Sequence, residues 1–267
     1  MAITIQNAQL MKGLIQQTGQ SVNEVNDTLK RISTGLKINS SADGAALLEI
    51  ANKLGTEVRG LNQAMRNTND GISTLQVADA GLESIQSSQA RLKELAVQSA
   101  NGTLSDSDRQ AINQEAQALQ EQINSTISDT SYNGQSLLNS GDTLSFQTGS
   151  GSGDATTVTI PDLTNAYSGI DLSTQAGAEA ALTSLDTDIN TTSDARSTVG
   201  SALSSLESRY DTLATAVETT SAAQSRIQDT DVASDVANLV SASIRGQGAT
   251  ALQAQSSSYA QSVLDLL

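Results

Sequence analysis

The sequence predicts a mainly α-helical protein, in which both chain ends form a long antiparallel helical bundle or coiled coil and one small β-hairpin lies in the middle. Apolar residues recur in alternating steps of three and four on both sides of the chain's centre, which is the pattern of a helix-to-helix seam. Aromatic residues make up only 2% of the 267 residues, which favours narrow helical seams over a bulky globular core. One short central stretch alternates apolar and polar residues instead, as a strand does.

The first part of the chain predicts two helices separated by a turn. The earlier helix carries a heptad seam with the apolar members Val22, Val25, Leu29, Ile32 and Leu36. It breaks at Gly35 and the turn-like residues 39–44, where Ser or Asp can cap the next helix. That helix is predicted over roughly residues 45–100, because its seam runs from Leu47 to Leu95, and it would be on the order of 80 Å long.

A third helix and a turn are predicted next. Ser105 provides a cap and Asp106 and Asp108 an acidic first turn, and the apolar face is formed by Ile112, Leu119, Ile123 and Ile127. Residues 132–135, with the letters YNGQ, predict a turn after this helix.

Residues 140–171 differ in character from the rest of the chain. Leu144 and Phe146 alternate with polar neighbours, as do Val158 and Ile160 beyond a glycine-rich turn at 149–153. We interpret this region as one β-hairpin. Two isolated strands are not stable in water, so the hairpin must lie on the helices.

The remainder of the chain returns to a helical pattern. A long seam from Leu185 to Ile227 predicts a helix, and the pattern breaks near residues 229–231. A last helix follows, with the apolar members Val232, Val236, Leu239 and Ile244. Terminal helices with so little else to bury against imply that neighbouring copies supply the missing surface, and one such contact repeated along a helical path gives a filament.

Composition excludes several classes of function. The chain has no Cys and no His, so thiol and disulfide chemistry, thiolate metal sites and the usual general base are absent, and we expect neither an enzyme nor a cofactor. A net charge of −15 disfavours nucleic acid and anionic membranes as partners. Nothing in the sequence approaches a membrane span, and the opening residues lack the pattern of a Sec-type signal peptide.

Two pairs of acidic residues have two interpretations. The pair Asp106 and Asp108 and the pair Asp229 and Asp231 could serve metal or acid chemistry. Capping of the following helix and stabilisation of its dipole explain both pairs better, because neither lies in a recognisable ligand loop.

Several segments, in the same order along the chain, resemble the bacterial flagellins. The resemblance covers roughly residues 1–140 and 180–267, and its most specific segments are RISTGLKINSSADGAALLEIANKL (31–54), RNTNDGISTLQVADAGL (66–82), ELAVQSANGTLSDSDR (94–109), SYNGQSLL (131–138), TSAAQSRIQDTD (220–231) and the closing VLDLL. The central region holds only the hairpin and a short linker, so the chain resembles a short, minimal flagellin without large outer domains.

The resemblance implies a structural subunit that polymerises into the extracellular flagellar filament for swimming motility after export by the flagellar type III apparatus. It implies two domains: a filament-core domain of terminal helices at 1–40 and 231–267, and a helical stem domain at 41–139 and 172–230 that includes the β-hairpin region at 140–171. Its partners would be further copies of itself, the flagellar cap and hook-junction proteins and a flagellin export chaperone. A hook–filament junction protein and a secreted coiled-coil effector or adhesin are the alternatives, although the segments RNTNDGIS and ELAVQSANG favour a flagellin proper.

The resemblance also implies that an animal flagellin-sensing Toll-like receptor is a partner. The receptor contacts of the family correspond here to Arg91 and Leu95, with Glu115 on the neighbouring helix. The alternative interpretation is that these three residues stabilise packing between subunits.

Overall fold

The chain forms long helices with two small hairpins between them. The computed structural model describes residues 2–164, 167 and 169–264. In chain order the described elements are α1 (Ala2–Thr34), α2 (Ser41–Ser99), α3 (Asp106–Asp129), β1 (Ser131–Tyr132), β2 (Gln135–Ser136), β3 (Thr143–Gln147), β4 (Ala155–Thr159), α4 (Gln175–Gln228) and α5 (Val232–Leu264). Met1, residues 265–267 of the VLDLL segment, and residues 165, 166 and 168 of the predicted hairpin region lie outside the described residues.

The predicted helices are confirmed, and local chemistry explains where they end. Gly35 has φ of 70° and donates its N–H to the Arg31 carbonyl at 2.8 Å, so it closes α1 in a conformation that glycine adopts at little cost. Ser105 caps α3 through a capping box, in which its side chain accepts from the Asp108 backbone N–H while its own backbone N–H donates to the Asp108 carboxylate.

The start of α2 is also fixed by a carboxylate. Asp43 Oδ2 accepts backbone N–H donors from Asn39 at 3.0 Å and from Ser40 at 2.8 Å. These donors hold the pKa of Asp43 below its usual value, because they stabilise the ionised form. Gly44, with φ of 153°, interrupts the first turn, and α2 continues beyond it to Ser99.

The chain divides into two units. Unit 1 comprises Met1–Glu57 and Thr219–Leu267, and unit 2 comprises Val58–Glu218. The predicted domain limits at 40/41 and 230/231 lie in the interruptions between helices, whereas the division into units falls within α2 and α4. The division into a filament-core domain and a stem domain that includes the hairpin stays a prediction.

Unit 2 holds a continuous apolar core. The predicted inward faces of α2 and α3 supply much of it, and α4 adds Leu185, Val199 and Leu206. Its largest fully buried side chains are Leu75, Leu82, Ile85, Leu92, Leu95, Ile123, Ile127, Leu138, Ile160, Leu163, Tyr167 and Leu172. Burial of one such side chain contributes about 1.5–3 kcal/mol. This core is therefore a large favourable contribution to the folding free energy of unit 2.

The predicted central hairpin is confirmed as the antiparallel pair β3 and β4. Thr143 pairs with Thr159, and their hydroxyl oxygens lie 2.8 Å apart. The hairpin lies on α2, since a Cβ added to Gly71 would come within 3.0 Å of the Phe146 ring. Glycine at position 71 therefore makes room for the aromatic side chain.

A second small hairpin lies where the sequence predicted a turn. Strands β1 and β2 pair Ser131 with Ser136 and Tyr132 with Gln135. Asn133 and Gly134 between them have φ of 51° and 79°, the conformation of a two-residue hairpin turn. The turn prediction was correct, but two-residue strands carry too little alternation to be seen in the sequence.

The described residues between β4 and α4 form no helix or strand, although Leu163, Tyr167, Ile170 and Leu172 among them are buried. The Asn113 side chain accepts from the Leu172 N–H at 2.8 Å, and the Gln120 side chain donates to the Ile170 carbonyl at 3.0 Å. Ser99 donates its hydroxyl to the Leu172 carbonyl at 2.7 Å. Polar side chains of α2 and α3 thus form the hydrogen bonds that these backbone groups would otherwise make within a helix or a sheet.

A buried polar network joins this segment to α2 and α4. Gln89 Nε2 donates to the Tyr167 hydroxyl at 2.5 Å and to Thr192 Oγ1 at 2.8 Å, and the two hydroxyl oxygens lie 2.7 Å apart. Asp188, whose backbone carbonyl accepts from Thr192 Oγ1 at 2.9 Å, has its pKa raised to about 6 because burial penalises the charged carboxylate. Gln89, predicted as a polar member of the α2 seam, is therefore the centre of a hydrogen-bonded cluster.

Candidate assembly surface

In unit 1, α1 and α5 pack antiparallel through small side chains. The order of their contacts shows the direction, because Arg31 pairs with Asp235 whereas Glu24, nearer the start of α1, pairs with Arg245, further along α5. The positions that face inward in steps of three and four are Thr18, Ser21, Val25, Thr28 and Ile32 on α1 and Asp235, Leu239, Ala242, Gly246 and Ala249 on α5. A Cβ at position 246 would lie 3.5 Å from the Cβ of Ser21, so the two backbones approach closely there.

Most of the larger apolar side chains of these helices point away from the seam, and Val25, Ile32 and Leu239 are half-buried members that face it. On α5, Val240 is 52% exposed and Ile244 is 63% exposed, while Ala242 between them is completely buried. Among the side chains of α1 and α5 that the structure describes, the exposed large apolar ones are Leu10, Ile15, Val22, Leu29, Val232, Val236, Val240, Ile244, Leu252 and Tyr259. Bulky apolar side chains exposed in such number along two paired helices suit contact with another molecule.

The predicted seam residues divide between the two surfaces. Val25, Ile32, Leu36 and Leu239 are half-buried within unit 1. The other predicted members are exposed, and these are Val22, Leu29, Val232 and Val236. The predicted heptad consists of the bulky residues Val22 and Leu29, which are exposed. The inward positions are those directly before them, Ser21 and Thr28.

A polar cluster holds α1 to the start of α5. The Arg31 guanidinium donates to both oxygens of the buried Asp235 carboxylate, at 3.1 to 3.3 Å, and to Thr28 Oγ1 at 3.1 Å. Thr230 Oγ1 donates to Asp235 Oδ2 at 2.6 Å. Arg31 and Thr230 hold the pKa of Asp235 below its usual value, since each hydrogen bond favours the ionised carboxylate.

The turns that follow α1 and α4 are bonded to each other. Lys37 donates its backbone N–H to the Gln228 carbonyl at 2.7 Å, and Thr230 donates its own to the Gly35 carbonyl at 3.0 Å. An isolated antiparallel bridge pairs Leu36 with Asp229 between these bonds. The interruption before α2 and the interruption before α5 therefore form one joint.

One acidic residue at this joint, Asp231, and one in the first turn of α3, Asp108, stabilise the starts of their helices. Asp231 Oδ1 accepts the backbone N–H groups of Ala233 at 3.0 Å and Ser234 at 3.3 Å at the start of α5. Asp108 closes the capping box of α3. Among the described residues, no group of three or more His, Cys, Asp or Glu side chains is placed to hold a metal ion. Capping accounts for Asp231 and Asp108, whereas the Asp229 carboxylate accepts the Ser225 hydroxyl instead.

The residues predicted to contact a receptor lie in unit 2 and differ in accessibility. Arg91, half exposed, donates to Glu115 Oε1 from Nη2 at 2.8 Å and from Nε at 3.1 Å, and to Glu94 Oε2 at 3.0 Å. Its pKa is raised because Glu115 and Glu94 stabilise the cation. Leu95 is only 1% exposed and belongs to the core. The surface at this place therefore consists of Arg91 and the two carboxylates, whereas Leu95 lies in the core.

Sequence reasoning missed the small residues of the α1–α5 seam. Ser21, Thr28, Ala242, Gly246 and Ala249 repeat in steps of three and four, but a search for large apolar residues passes over them. Two closely packed helices need small side chains where they meet. The signal in the sequence is therefore a set of small residues that repeats with the same helical spacing as the bulky apolar residues, displaced from them by one position. Within the described part of the chain, no helix has the length and apolar character that crossing a membrane requires.

The terminal helices meet largely through small residues and direct bulky apolar side chains outward. This arrangement is typical of a helical structural protein that associates with further copies. The bacterial flagellin N-terminal helical region matches residues 5–143, and the bacterial flagellin C-terminal helical region matches residues 182–267. The flagellin of Halalkalibacterium halodurans is 36% identical over 255 residues, which cover 93% of this chain and 94% of that relative. The chain belongs to the bacterial flagellins, and it is a structural subunit of the flagellar filament, the extracellular part of the flagellum.

Other relatives share part of the chain. Polar flagellin C of Vibrio parahaemolyticus is 42% identical over 156 residues, which cover 58% of this chain and 41% of that relative. The crystal structure of Bacillus cereus flagellin is similar with a TM-score of 0.52 and 34% identity, over 55% of this chain and 88% of that one. A putative flagellar hook-associated protein from Vibrio parahaemolyticus has a TM-score of 0.61 at 16% identity, over 70% of this chain and 99% of that one, and shows the fold alone.

Proposed function

We propose that the outward apolar residues of α1 and α5 are the surface through which subunits join in the filament, with residues 1–40 and 231–267 forming its core. The observation that carries this proposal is the position of Val236, Val240 and Ile244, which are exposed although α5 packs on α1 along its other face. Burial of apolar surface is the dominant favourable contribution to association, so neighbouring copies gain most by covering this stripe.

The terminal helices depend on this association for much of their stability. Their seam buries mainly Ser, Thr, Ala and Gly, which remove little apolar surface from water. Most helical stability in proteins comes from packing of an apolar face rather than from helix propensity. In the subunit before assembly, α1 and α5 therefore open more readily than the helices of unit 2, and assembly stabilises them.

Replacement of outward valines tests the surface directly. We expect the double variant Val236→Gln and Val240→Gln to raise the protein concentration needed for elongation from filament seeds by about tenfold or more, because each lost contact in a dry interface costs on the order of 1 kcal/mol. Gln is at least as good a helix former as Val, so the helix itself is not weakened. Light scattering and electron microscopy of seeded samples measure elongation.

A matched control lies in unit 2. Val97 is 57% exposed, close to the 52% of Val240, and Val97→Gln makes the same chemical change on α2. We expect that control to elongate within about twofold of the parent chain, since a single exposed replacement outside the surface changes little. Normal elongation by the Val236 and Val240 variant would contradict the proposal.

We extend the proposal to delivery and partners. As a flagellin, the chain is proposed to leave the cell through the flagellar type III apparatus with an export chaperone, and to be added between the hook-junction and cap proteins. A hook–filament junction protein is the alternative, and the 36% identity to a flagellin along 93% of the chain favours the filament subunit. The two differ in one measurement, because a filament subunit elongates seeds without limit of length whereas a junction protein stops after a short segment.

The exposed ion-pair cluster of Arg91 supports a second proposal, that the subunit activates a flagellin-sensing Toll-like receptor of animals. Arg is a frequent anchor of interfaces, and Arg91 is held by Glu115 and Glu94 in a fixed orientation. Leu95, the third predicted contact, would act from below by supporting the helix surface, since it is buried.

Two neighbouring cations of α2 give a matched test. We expect Arg91→Ala to reduce the response of receptor-bearing cells to unpolymerised protein by about tenfold or more, the effect of losing an interface anchor. Lys93→Ala is the control, because Lys93 is also exposed and also forms an ion pair, with Asp186 on α4. An undiminished response from Arg91→Ala, or equal losses from both variants, would rule out the assignment.

A further inference from the structure

The two small hairpins of unit 2 leave a slot between them, which encloses about 320 Å³. One side is formed by the first hairpin through Tyr132, Asn133 and Gln135, and the other side by residues 143–146 of β3. Thr74 of α2 also lines it. Strands β1 and β2 form one sheet and β3 and β4 another, so no ladder of hydrogen bonds between the described strands crosses the slot.

The slot runs along the outer edge of β3 rather than across a face of its sheet. Successive side chains of a strand point to opposite faces, so a cavity on one face is lined by alternate residues. Here four consecutive residues of β3 line the slot, over roughly 13 Å, whereas no residue of β4 does. An edge strand presents unpaired backbone groups and is a template for pairing with a further strand.

The pairing of β3 with β4 determines which backbone groups face the slot. Directly beyond the paired residues, Thr148 donates its N–H to the Asp154 carbonyl at 2.8 Å. Bonded and non-bonded pairs alternate along an antiparallel pair of strands. The even-numbered positions of β3 therefore bond to β4, while Thr143, Ser145 and Gln147 direct their N–H and C=O groups outward.

One of these outward groups has a partner, and four others do not. Asn67 on α2 donates to the Gln147 carbonyl at 3.1 Å, which agrees with the outward direction of that carbonyl. The N–H and C=O groups of Thr143 and Ser145 form no outward hydrogen bond with another described residue. Both residues are exposed, so these groups are left to solvent. A strand laid beside β3 would give them a ladder of their own.

The charge around the slot favours a basic partner. Between Arg109 and Arg196, a span that contains both hairpins, the sequence has eleven acidic residues and no Lys or Arg. Asp142, directly before β3, is exposed, and its carboxylate has no partner among the described residues. The cation Arg66 lies near the other end of β3, because its neighbour Asn67 contacts that end. Lys or Arg beside Asp142 would therefore stabilise a segment that pairs with β3.

The same charge disfavours a second copy of the chain as the occupant. Two copies that paired edge to edge would bring two acidic central regions together, and like charges side by side are unfavourable. Charged side chains next to an exposed edge are also a means by which proteins avoid pairing with themselves. A segment of opposite charge does not meet this repulsion.

We propose that the slot binds an extended, basic segment of another protein, which pairs with β3 as an added strand. The backbone groups of Thr143 and Ser145 supply the pairing. The side-chain amides of Asn133 and Gln135 line the opposite side of the slot and suit the other edge of the segment. The residues that carry this inference belong to unit 2, so it is independent of the assembly surface of α1 and α5.

Proline on opposite edges of the hairpin gives a matched test. Ser145 pairs with Thr157, and at this pair the Ser145 N–H faces the slot whereas the Thr157 N–H faces the other edge. Proline removes the N–H and is tolerated on an edge strand. The probe is a fluorescent peptide KTVTVTK, which has Lys at both ends so that one lies beside Asp142 in either direction.

Fluorescence anisotropy measures binding of this peptide to the unpolymerised full chain. We expect Ser145→Pro to raise the Kd about tenfold or more, because it removes a backbone donor and blocks close approach of a strand. We expect Thr157→Pro to leave the Kd within about twofold of the parent, since it alters the edge that faces away from the slot. Circular dichroism checks that both variants keep their helical content.

A charge pair covers the case in which Ser145→Pro disturbs the hairpin. Asp142→Lys and Asp194→Lys change the net charge equally, but exposed Asp194 lies on α4, outside the residues that line the slot. We expect Asp142→Lys to raise the Kd of KTVTVTK about tenfold or more and Asp194→Lys by less than about threefold. The acidic peptide ETVTVTE should bind the parent chain more weakly than KTVTVTK and should bind Asp142→Lys more tightly than it binds the parent.

Three outcomes would overturn the inference. The first is a parent chain that does not bind KTVTVTK. The second is equal binding by both members of each pair of variants, when their helical content is unchanged. The third is a dimer of the parent chain, detected by sedimentation without seeds, that Ser145→Pro abolishes and Thr157→Pro does not, because the edge would then belong to a second copy.

Discussion

The two units use the same heptad spacing with opposite results. In unit 2 the large aliphatic side chains occupy the inward positions, and Leu75, Leu82 and Ile85 are completely buried. In unit 1 small and polar residues occupy most of the inward positions of α1 and α5, while bulky residues such as Val240 and Ile244 lie outside. The spacing of apolar residues determines that a helix has an apolar stripe. The size of the residues at the neighbouring positions determines whether that stripe is buried within the chain or left exposed for contact with another copy.

The units also differ in how polar groups are used. Unit 2 buries a hydrogen-bonded cluster around Gln89 and Tyr167 within its core. Unit 1 places its main ion pair, between Arg31 and Asp235, at one end of the helix pair. The cluster fixes the arrangement of three segments in an ordered core, whereas the ion pair fixes only where the two terminal helices meet.

The largest expected effect comes from the core of unit 2. Leu82→Ala should lower the free energy of unfolding of unit 2 by about 3 kcal/mol, because it removes a fully buried side chain and leaves a cavity. Val240→Ala on α5 should change the stability of the unpolymerised chain by less than about 0.5 kcal/mol, since the valine is exposed there. Denaturant unfolding followed by circular dichroism measures both, and similar losses would contradict the comparison.

A smaller effect is expected from the ion pair of unit 1. Asp235→Asn should lower the unfolding temperature of the α1–α5 pair by a few degrees, because the charge-assisted bonds from Arg31 and Thr230 become weaker. The folded pKa of Asp235 lies below the usual 3.8, so its contribution is present above that value and is lost as the pH falls below it. Thermal unfolding between pH 3 and pH 7 is the measurement.

The control for this prediction is Asp27→Asn on the exposed face of α1. It makes the same chemical change at a residue outside the cluster and should leave the unfolding temperature almost unchanged. If the unfolding temperatures of Asp235→Asn and Asp27→Asn are equal at neutral pH, the polar cluster does not stabilise the α1–α5 pair.

The smallest expected effect has the opposite sign and belongs to unit 2. Burial raises the folded pKa of Asp188 to about 6, so the folded state binds this proton more tightly than the unfolded state and stability falls as the pH rises from about 4 to 6. Asp188→Asn should therefore stabilise unit 2 at pH 7 by about 1 kcal/mol after allowance for partial exposure, and should have little effect at pH 4.

Exposed Asp194, on the same helix, provides the control for Asp188. Asp194→Asn should change the stability of unit 2 only slightly at either pH. Denaturant titrations at the two pH values compare the variants. A destabilised Asp188→Asn variant at pH 7 would show that the charged carboxylate has a favourable partner in the folded unit.

Much of the fold could be predicted because local signals and long periodic segments agreed. The capping residues Ser105 and Asp108, the break at Gly35 and the alternation in the central hairpin each depend on neighbours in sequence. The irregular segment around Tyr167 could not be predicted, because its backbone is satisfied by side chains such as Asn113 and Gln120, which lie far away in sequence.

The candidate surface could be predicted only in part for a related reason. Bulky apolar spacing located the stripe of α5, but the same spacing also suited an inward seam, and periodicity alone does not distinguish the two. The distinction depends on Gly246 and Ala242, whose small size matters only once α1 is known to pack against them. The seam of α2 predicted that Leu95 lies inward, and its 1% exposure agrees with the seam, whereas the family resemblance placed the same residue among exposed receptor contacts.

The joint between the turns at residues 35–37 and 228–230 restricts where the chain can change in length. Each of its two hydrogen bonds and its bridge pairs one residue of the first turn with one residue of the second. An insertion or deletion of one residue in either turn would therefore displace these partners from each other. The glycine-rich turn between β3 and β4, at 149–153, carries no such long-range pairing and is largely exposed. New sequence acquired by this chain should therefore be tolerated at the tip of the central hairpin, while the joint keeps a constant number of residues.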